Sequence, residues 1–130
     1  MGEELRAILC FCSPAPARRD KIRDWYIGLT VQERADADVF IKAMRRKRDD
    51  WTMPDYRPSL KGYSKLGELR WSSCRKQHRL IGFLRDGIFV ALIGCTHKQR
   101  IYDPADSLET AERRFKEIER KEATTCEYAL

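Results

Sequence analysis

Apolar and polar positions alternate along residues 4–12, where Leu5, Ala7, Leu9 and Phe11 interleave with Arg6, Ile8, Cys10 and Cys12. A period of two over this length predicts a strand with at least one buried face. Ser13-Pro14-Ala15-Pro16 ends it, because prolines cannot donate to a ladder. The period then changes. Ile22, Trp25, Tyr26 and Leu29 follow the i, i+3, i+4, i+7 spacing of one helix face. Thr30-Val31-Gln32-Glu33 has the form of a capping box and predicts the start of a second helix. Its apolar stripe is predicted to be Ala35, Val39, Phe40, Ala43 and Met44, with Arg45 to Arg48 at the negative end of the dipole.

Residues 49–66 carry Pro54, Pro58 and Gly62 and are predicted to form a long connection, with Trp51 and Tyr56 as its exposed aromatics. Three strands follow. Leu69 and Trp71 oppose Glu68, Arg70 and Ser72 in the first, and Arg79, Ile81, Phe83 and Arg85 oppose His78, Leu80, Gly82 and Leu84 in the second. Ile88 to Cys95 is apolar on both faces, as a covered central strand requires. Asp86-Gly87 predicts a two-residue hairpin turn, and Ser72 to Gln77 a looser one. Pro104 is placed in the first turn of a terminal helix capped by Asp103. Leu108, Ala111, Phe115 and Ile118 form its seam, with Glu109–Arg113, Glu112–Lys116 and Glu117–Lys121 as possible pairs. Residues 123–130 are expected to be a flexible tail. The order β, α, α, β, β, β, α predicts one α+β domain over residues 1–130, with helices on one face of a small, mostly antiparallel sheet.

Composition narrows the class. A chain of 130 residues, 42% hydrophobic and 35% charged, is long enough to bury a useful core and too apolar for a disordered tail. Its longest apolar run has eight residues, well short of a membrane span. Glu3 and Glu4 precede the first apolar run, which argues against a secretory leader. Five cysteines without a Cys-x-x-Cys pair suggest reduced thiols and a cytoplasmic location.

The net charge of +6 is uneven. Residues 57–100 hold 10 basic side chains against two acids, Glu68 and Asp86, whereas residues 101–130 are net acidic. A positive field confined to one stretch favours a polyanionic partner, because Lys and Arg displace condensed counterions from phosphates.

Arg70, Arg79, His97 and Lys98 fall on or beside three successive strands, so they can converge on one phosphate if they share a face. Lys61 and Lys65 on the preceding loop and Tyr102 after the last strand can line its rim, and Arg75 and Lys76 lie at the first hairpin tip. Such a cluster suits attack of an RNA 2′-hydroxyl on the neighbouring phosphate. That reaction needs a base for the hydroxyl, an acid for the leaving oxygen and cations for the phosphorane charge. Histidine titrates in the right range for either proton role, and the chain has two, His78 and His97. Cys10-x-Cys12 and Cys95-x-His97 match no common zinc spacing, so the cysteines are read as small buried hydrophobes and no cofactor or metal is predicted.

From Leu60 to Arg114 the sequence resembles the RelE/ParE toxin superfamily, in its phage-derived HigB-like branch. The matching pieces are Leu60-Lys61-Gly62, Gly67-Glu68-Leu69-Arg70, His78 to Phe83, Ile88 to Gly94, the basic exit His97-Lys98, and Pro104 with Ala111 and Arg113-Arg114. The resemblance implies a toxin of a type II toxin–antitoxin pair, in a bacterium or phage, that cleaves mRNA on the ribosome and is neutralised by a helix-turn-helix antitoxin. It places Arg70, Arg79 and Lys98 at phosphate-binding and transition-state-stabilising positions, Lys61 on the basic loop and Tyr102 near a late tyrosine of the family. His78 stands where the family has tyrosine, and Thr96-His97-Lys98 replaces an aromatic followed by paired lysines. Two alternatives stay open: a ParE-like toxin that binds DNA gyrase without cutting RNA, and a plain nucleic-acid-binding module.

Overall fold

The computed structural model describes residues 5–128, so Glu3, Glu4 and the last two positions of the expected tail lie outside it. Seven strands and three helices alternate as β1 (Ile8–Cys12), α1 (Lys21–Ile27), α2 (Val31–Lys47), β2 (Tyr56–Arg57), β3 (Gly67–Ser73), β4 (Lys76–Arg85), β5 (Ile88–Lys98), β6 (Ile101–Asp103), α3 (Ser107–Glu119) and β7 (Thr124–Glu127). They form an α+β domain around one mixed sheet of order β2-β3-β4-β5-β1-β7, with β6 on the C-terminal part of β5. Only the β1–β5 pairing is parallel, and the helices and the β2–β4 meander supply the long crossover that such a pair requires.

Both faces of the sheet are covered, which corrects the expectation that the helices share one face and that the sheet is small. On one face Ile22 of α1 and Ala37, Ile41 and Met44 of α2 pack against Cys10, Leu69, Trp71, Leu80, Phe89 and Ala91. On the other, Ala111 and Phe115 of α3 pack against Phe11, Phe83, Val90 and Leu92. Phe83 and Phe115 meet edge to face at 4.8 Å.

The helix starts follow local chemistry. Asp20 accepts from the backbone N–H groups of Ile22 and Arg23 to open α1. Thr30 and Glu33 close the predicted capping box reciprocally, at 3.1 and 3.0 Å. The buried face of α2 is displaced from the predicted stripe. Glu33, Ala37, Ile41 and Met44 point inward, whereas Ala35, Val39 and Ala43 are exposed. A carboxylate on the inner face, held by its own cap and with His78 Nε2 3.1 Å away, is invisible to a count of apolar residues.

The connection over residues 49–66 is also more ordered than expected. Trp51 and Tyr56 are core residues, not exposed aromatics: the Trp51 indole donates to the Met44 carbonyl at 2.8 Å and packs against Tyr56 and Phe89. Arg6 lies over the same indole, its guanidinium 4.7 Å from the ring centre, and donates to the Arg48 carbonyl at the end of α2.

Three two-residue turns close the hairpins, with positive φ at both central residues: Cys74-Arg75, Asp86-Gly87 and Gln99-Arg100. Only the second was predicted; Ser72 to Gln77 is not a loose connection. Asp103 and Pro104 do not open the last helix, because the chain first returns along β5 as β6, and α3 begins at Ser107. Thr124–Glu127, expected to be part of a flexible tail, forms β7 against β1 with Cys126 facing Cys10.

Candidate functional site

The β3–β4 hairpin sets Arg70 directly opposite Arg79, and β4 sets Arg79 opposite Cys95 of β5. Side chains on paired positions share a face, so the two guanidinium groups lie together on the α3 side of the sheet. A bulge decides what joins them. Ile81 pairs with Ile93 but Gly82 with Ala91, which leaves Leu92 as an extra residue in β5. Before it, Phe89 and Ala91 face α1 and α2 while Val90 and Leu92 face α3. Beyond it the phase is inverted, so Cys95 and His97 face α3 with the arginines. Gly82 permits this close crossing: a Cβ there would lie 2.1 Å from the Val90 carbonyl oxygen and 2.7 Å from the Phe89 ring.

Tyr102 of β6 pairs with His97, and their ring centres are 4.7 Å apart. The Tyr102 hydroxyl reaches back across the sheet and donates to Glu68 Oε2 at 2.8 Å. Glu68 Oε1 lies 3.7 Å from Arg70 Nε and 3.9 Å from Arg79 Nε. One buried carboxylate therefore stands between two cations that face each other. Arg79 is 5% exposed and donates to the His78 carbonyl at 2.8 Å, while Arg70 is partly open to solvent and touches Met53 Sδ at 3.4 Å. The Nε atoms of both arginines are buried without a hydrogen-bond partner and face Glu68 Oε1, which leaves the outer end of the Arg70 guanidinium as the part open to solvent.

The electrostatics follow from this geometry. Burial, then the Arg79 charge, hold the His97 imidazole below its ordinary pKa and keep it neutral at pH 7. Burial and the hydrogen bond to Glu68 push the Tyr102 phenol up, so it stays protonated. Burial, then the neighbouring Arg70, lower Arg79 from a very high starting value, and it remains a cation. The cluster thus presents a neutral base, a protonated hydroxyl and two guanidinium groups on one patch, with His97, Tyr102 and Arg70 half-exposed above the buried Glu68 and Arg79.

Of the residues singled out from sequence, Arg70, Arg79, His97 and Tyr102 come together. Lys98 does not: it follows His97 by one position, so the pleat turns it to the opposite face, where it is exposed. Lys61 and Lys65 are exposed on the loop before β3, and the Lys65 ammonium rests 5.7 Å from the Phe115 ring centre. Arg75 and Lys76 project from the β3–β4 tip. His78 is excluded by the same parity. It lies on the α1–α2 face, 1% exposed, stacked on Trp71 with Nε2 3.1 Å from Glu33 Oε2. Glu68 is the member that sequence reasoning missed. Its signal was its place two residues before Arg70 on one strand, as the only acid between residues 57 and 85.

Cys10, Cys12 and Cys95 are buried as expected for small hydrophobes, and among the described residues no group of three or more His, Cys, Asp or Glu is arranged to hold a metal ion. No described helix is long and apolar enough to cross a membrane. No family model matches the chain, and comparison with curated proteins and with solved structures gives no match.

Proposed function

We propose that this chain is a HigB-like toxin of the RelE/ParE type, which cleaves mRNA on the ribosome by attack of a 2′-hydroxyl on the adjacent phosphate. The observation that carries the reading is the gathering of Arg70, Arg79, His97 and Tyr102 on one face of the sheet, around a single buried carboxylate. Two like charges set directly opposite each other cost stability, and such a pair persists where it has a use.

Each residue is assigned a role. His97, neutral and half-exposed, takes the proton of the 2′-hydroxyl. The Arg70 guanidinium, partly open to solvent, receives the phosphorane oxygens, whose charge grows as the new bond forms, and the buried Arg79 charge supports it from beneath. Tyr102 is the nearest O–H to His97 in the cluster; to give its proton to the departing 5′-oxygen it must release its hydrogen bond to Glu68, and its raised pKa makes it a weak acid for that step. Glu68 positions the arginines and the phenol; it does not itself reach the solvent-facing edge of the cluster. The toxin reading brings with it a helix-turn-helix antitoxin as partner and the bacterial cytoplasm as location.

Inducing the gene tests this directly. Growth should stop and message should be cut only when ribosomes engage it, and Arg70→Ala should abolish both effects. Intact message with damaged DNA would instead mark a gyrase-binding toxin, and neither effect would leave a binding module.

A further inference from the structure

The connection between α2 and β2 lies against the candidate site. Trp51 and Tyr56 anchor it in the core, and the Asp55 carbonyl accepts the backbone N–H of Arg70 at 2.8 Å. That clasp sets Met53 beside Arg70, where the thioether Sδ accepts from the guanidinium nitrogen Nη1 at 3.4 Å. The inner edge of the same guanidinium faces Glu68, with Nε 3.7 Å from Oε1. Arg70 is thus held from inside by a carboxylate and from outside by a sulfur. A thioether is a weak, uncharged acceptor, so it yields the N–H readily to an oxyanion. Met53 is not core filler: it is 53% exposed, whereas Met44 of α2 is 1% exposed.

We infer that Met53 is an oxidation site that regulates the candidate site, its sulfoxide taking the outer Arg70 N–H that phosphate would otherwise use. The inference rests on the ribonuclease reading and names a regulation of that same site. The oxidant is hydrogen peroxide or another small hydroperoxide. A sulfur lone pair attacks one peroxide oxygen, and the O–O bond breaks as the S–O bond forms. The departing hydroxide takes the proton left on the transferred oxygen and leaves as water, so sulfur gives up two electrons and the peroxide gains them. The side chain need not ionise, and its exposure opens it to the oxidant. The product is polar, with negative charge on the new oxygen. Toward a guanidinium that oxygen is a stronger acceptor than the sulfur was, and a hydrogen bond from a charged donor is about twice as strong as a neutral one. Arg70 is then gripped on both edges and its charge is turned away from solvent. A thiol-dependent sulfoxide reductase reverses the step: two thiols become a disulfide and the oxygen leaves as water.

The test treats the full chain with hydrogen peroxide and then with dithiothreitol, which restores the exposed Cys74 thiol from its reversible oxidation products but leaves methionine sulfoxide in place. Peptide mass mapping should find one added oxygen at Met53 before any at Met44. Phenylglyoxal, which labels free guanidinium groups, should then modify Arg70 about tenfold more slowly. Message cleavage should also fall about tenfold, the scale of one charge-assisted hydrogen bond. A sulfoxide reductase should restore both. Met53→Leu should cleave as the parent does and keep its cleavage and its Arg70 labelling through peroxide. Met53→Gln, whose amide oxygen stands in for the sulfoxide, should show slow labelling and slow cleavage without any oxidant. An oxidised Met53 with parental labelling of Arg70 and parental cleavage would overturn the switch and leave the ribonuclease reading intact. So would an equal loss of cleavage in Met53→Leu, or oxidation of Met44 ahead of Met53. Slowed labelling that the reductase reverses, in a parent that cleaves no message, would support the capture of Arg70 by Met53 and overturn the ribonuclease reading.

Discussion

Arg70 and Arg79 face each other across the β3–β4 ladder, and the carboxylate of Glu68 lies within 4 Å of both. The arrangement makes Glu68 the keystone of the cluster's stability. Removing one partner of a buried ionic group leaves the others uncompensated, a loss damped here because Arg70 is partly solvated. Glu68→Gln is expected to lower stability by about 2–3 kcal/mol in chemical denaturation. Adding Arg70→Gln should restore about 1 kcal/mol by removing the like-charge pair, and a double-mutant cycle would measure that coupling.

The proposed chemical roles of the arginines can be separated from their structural ones. Arg70→Ala, at a half-exposed position, should keep the circular dichroism spectrum of the parent and reduce message cleavage about 100-fold. Arg79→Lys keeps a charge in the buried site but loses the fixed fork geometry, and should also cleave poorly. Parental cleavage by both variants would remove the arginines from the mechanism.

In the proposed mechanism His97 must be neutral to act as base, and burial holds its pKa below the usual ~6.5, so cleavage should be flat around neutral pH and decline as pH falls through a midpoint under 6.5. Stability carries the same sign. The folded state binds fewer protons at His97 than the unfolded chain does, so the contribution is present above about 6.5 and is lost as pH drops. His97→Gln should remove the acidic limb of the rate profile along with most of the rate. His78→Gln should leave the limb in place, since that ring lies on the other face beside Glu33.

Gly82→Ala tests the bulge. A methyl group there would collide with the Val90 carbonyl, and strands β4 and β5 would have to part or slip. The cost should be about 2–3 kcal/mol by denaturation. Cleavage should fall further than the unfolded fraction explains, because a one-residue slip turns His97 away from Arg79. A variant that folds stably and cleaves normally would show that the phase of β5 does not matter.

Much of this protein was legible in one dimension. Alternation marked β1, β3 and β4, a run apolar on both faces marked β5, the capping box marked the start of α2, and Asp86-Gly87 marked a hairpin, because each depends on residues within a few positions of one another. Strand parity also made Arg70 and Glu68 share a face on β3. Where a residue's partner lies far along the chain, local pattern gave the wrong answer. Thr124–Glu127 has no apolar period and becomes a strand only because β1 offers it an edge. Glu33 and Trp51 are buried because His78, Lys76 and the Met44 carbonyl, on other elements, meet their polar atoms.

The candidate site divides in the same way. Composition alone put the cations on residues 57–100, and periodicity put them on neighbouring strands. Which of them meet was decided by one extra residue in β5, since every side chain beyond Leu92 changes face there. That choice comes from the fit of Gly82 against the Val90 backbone and Phe89 ring, a contact between two strands that neither strand's own pattern contains.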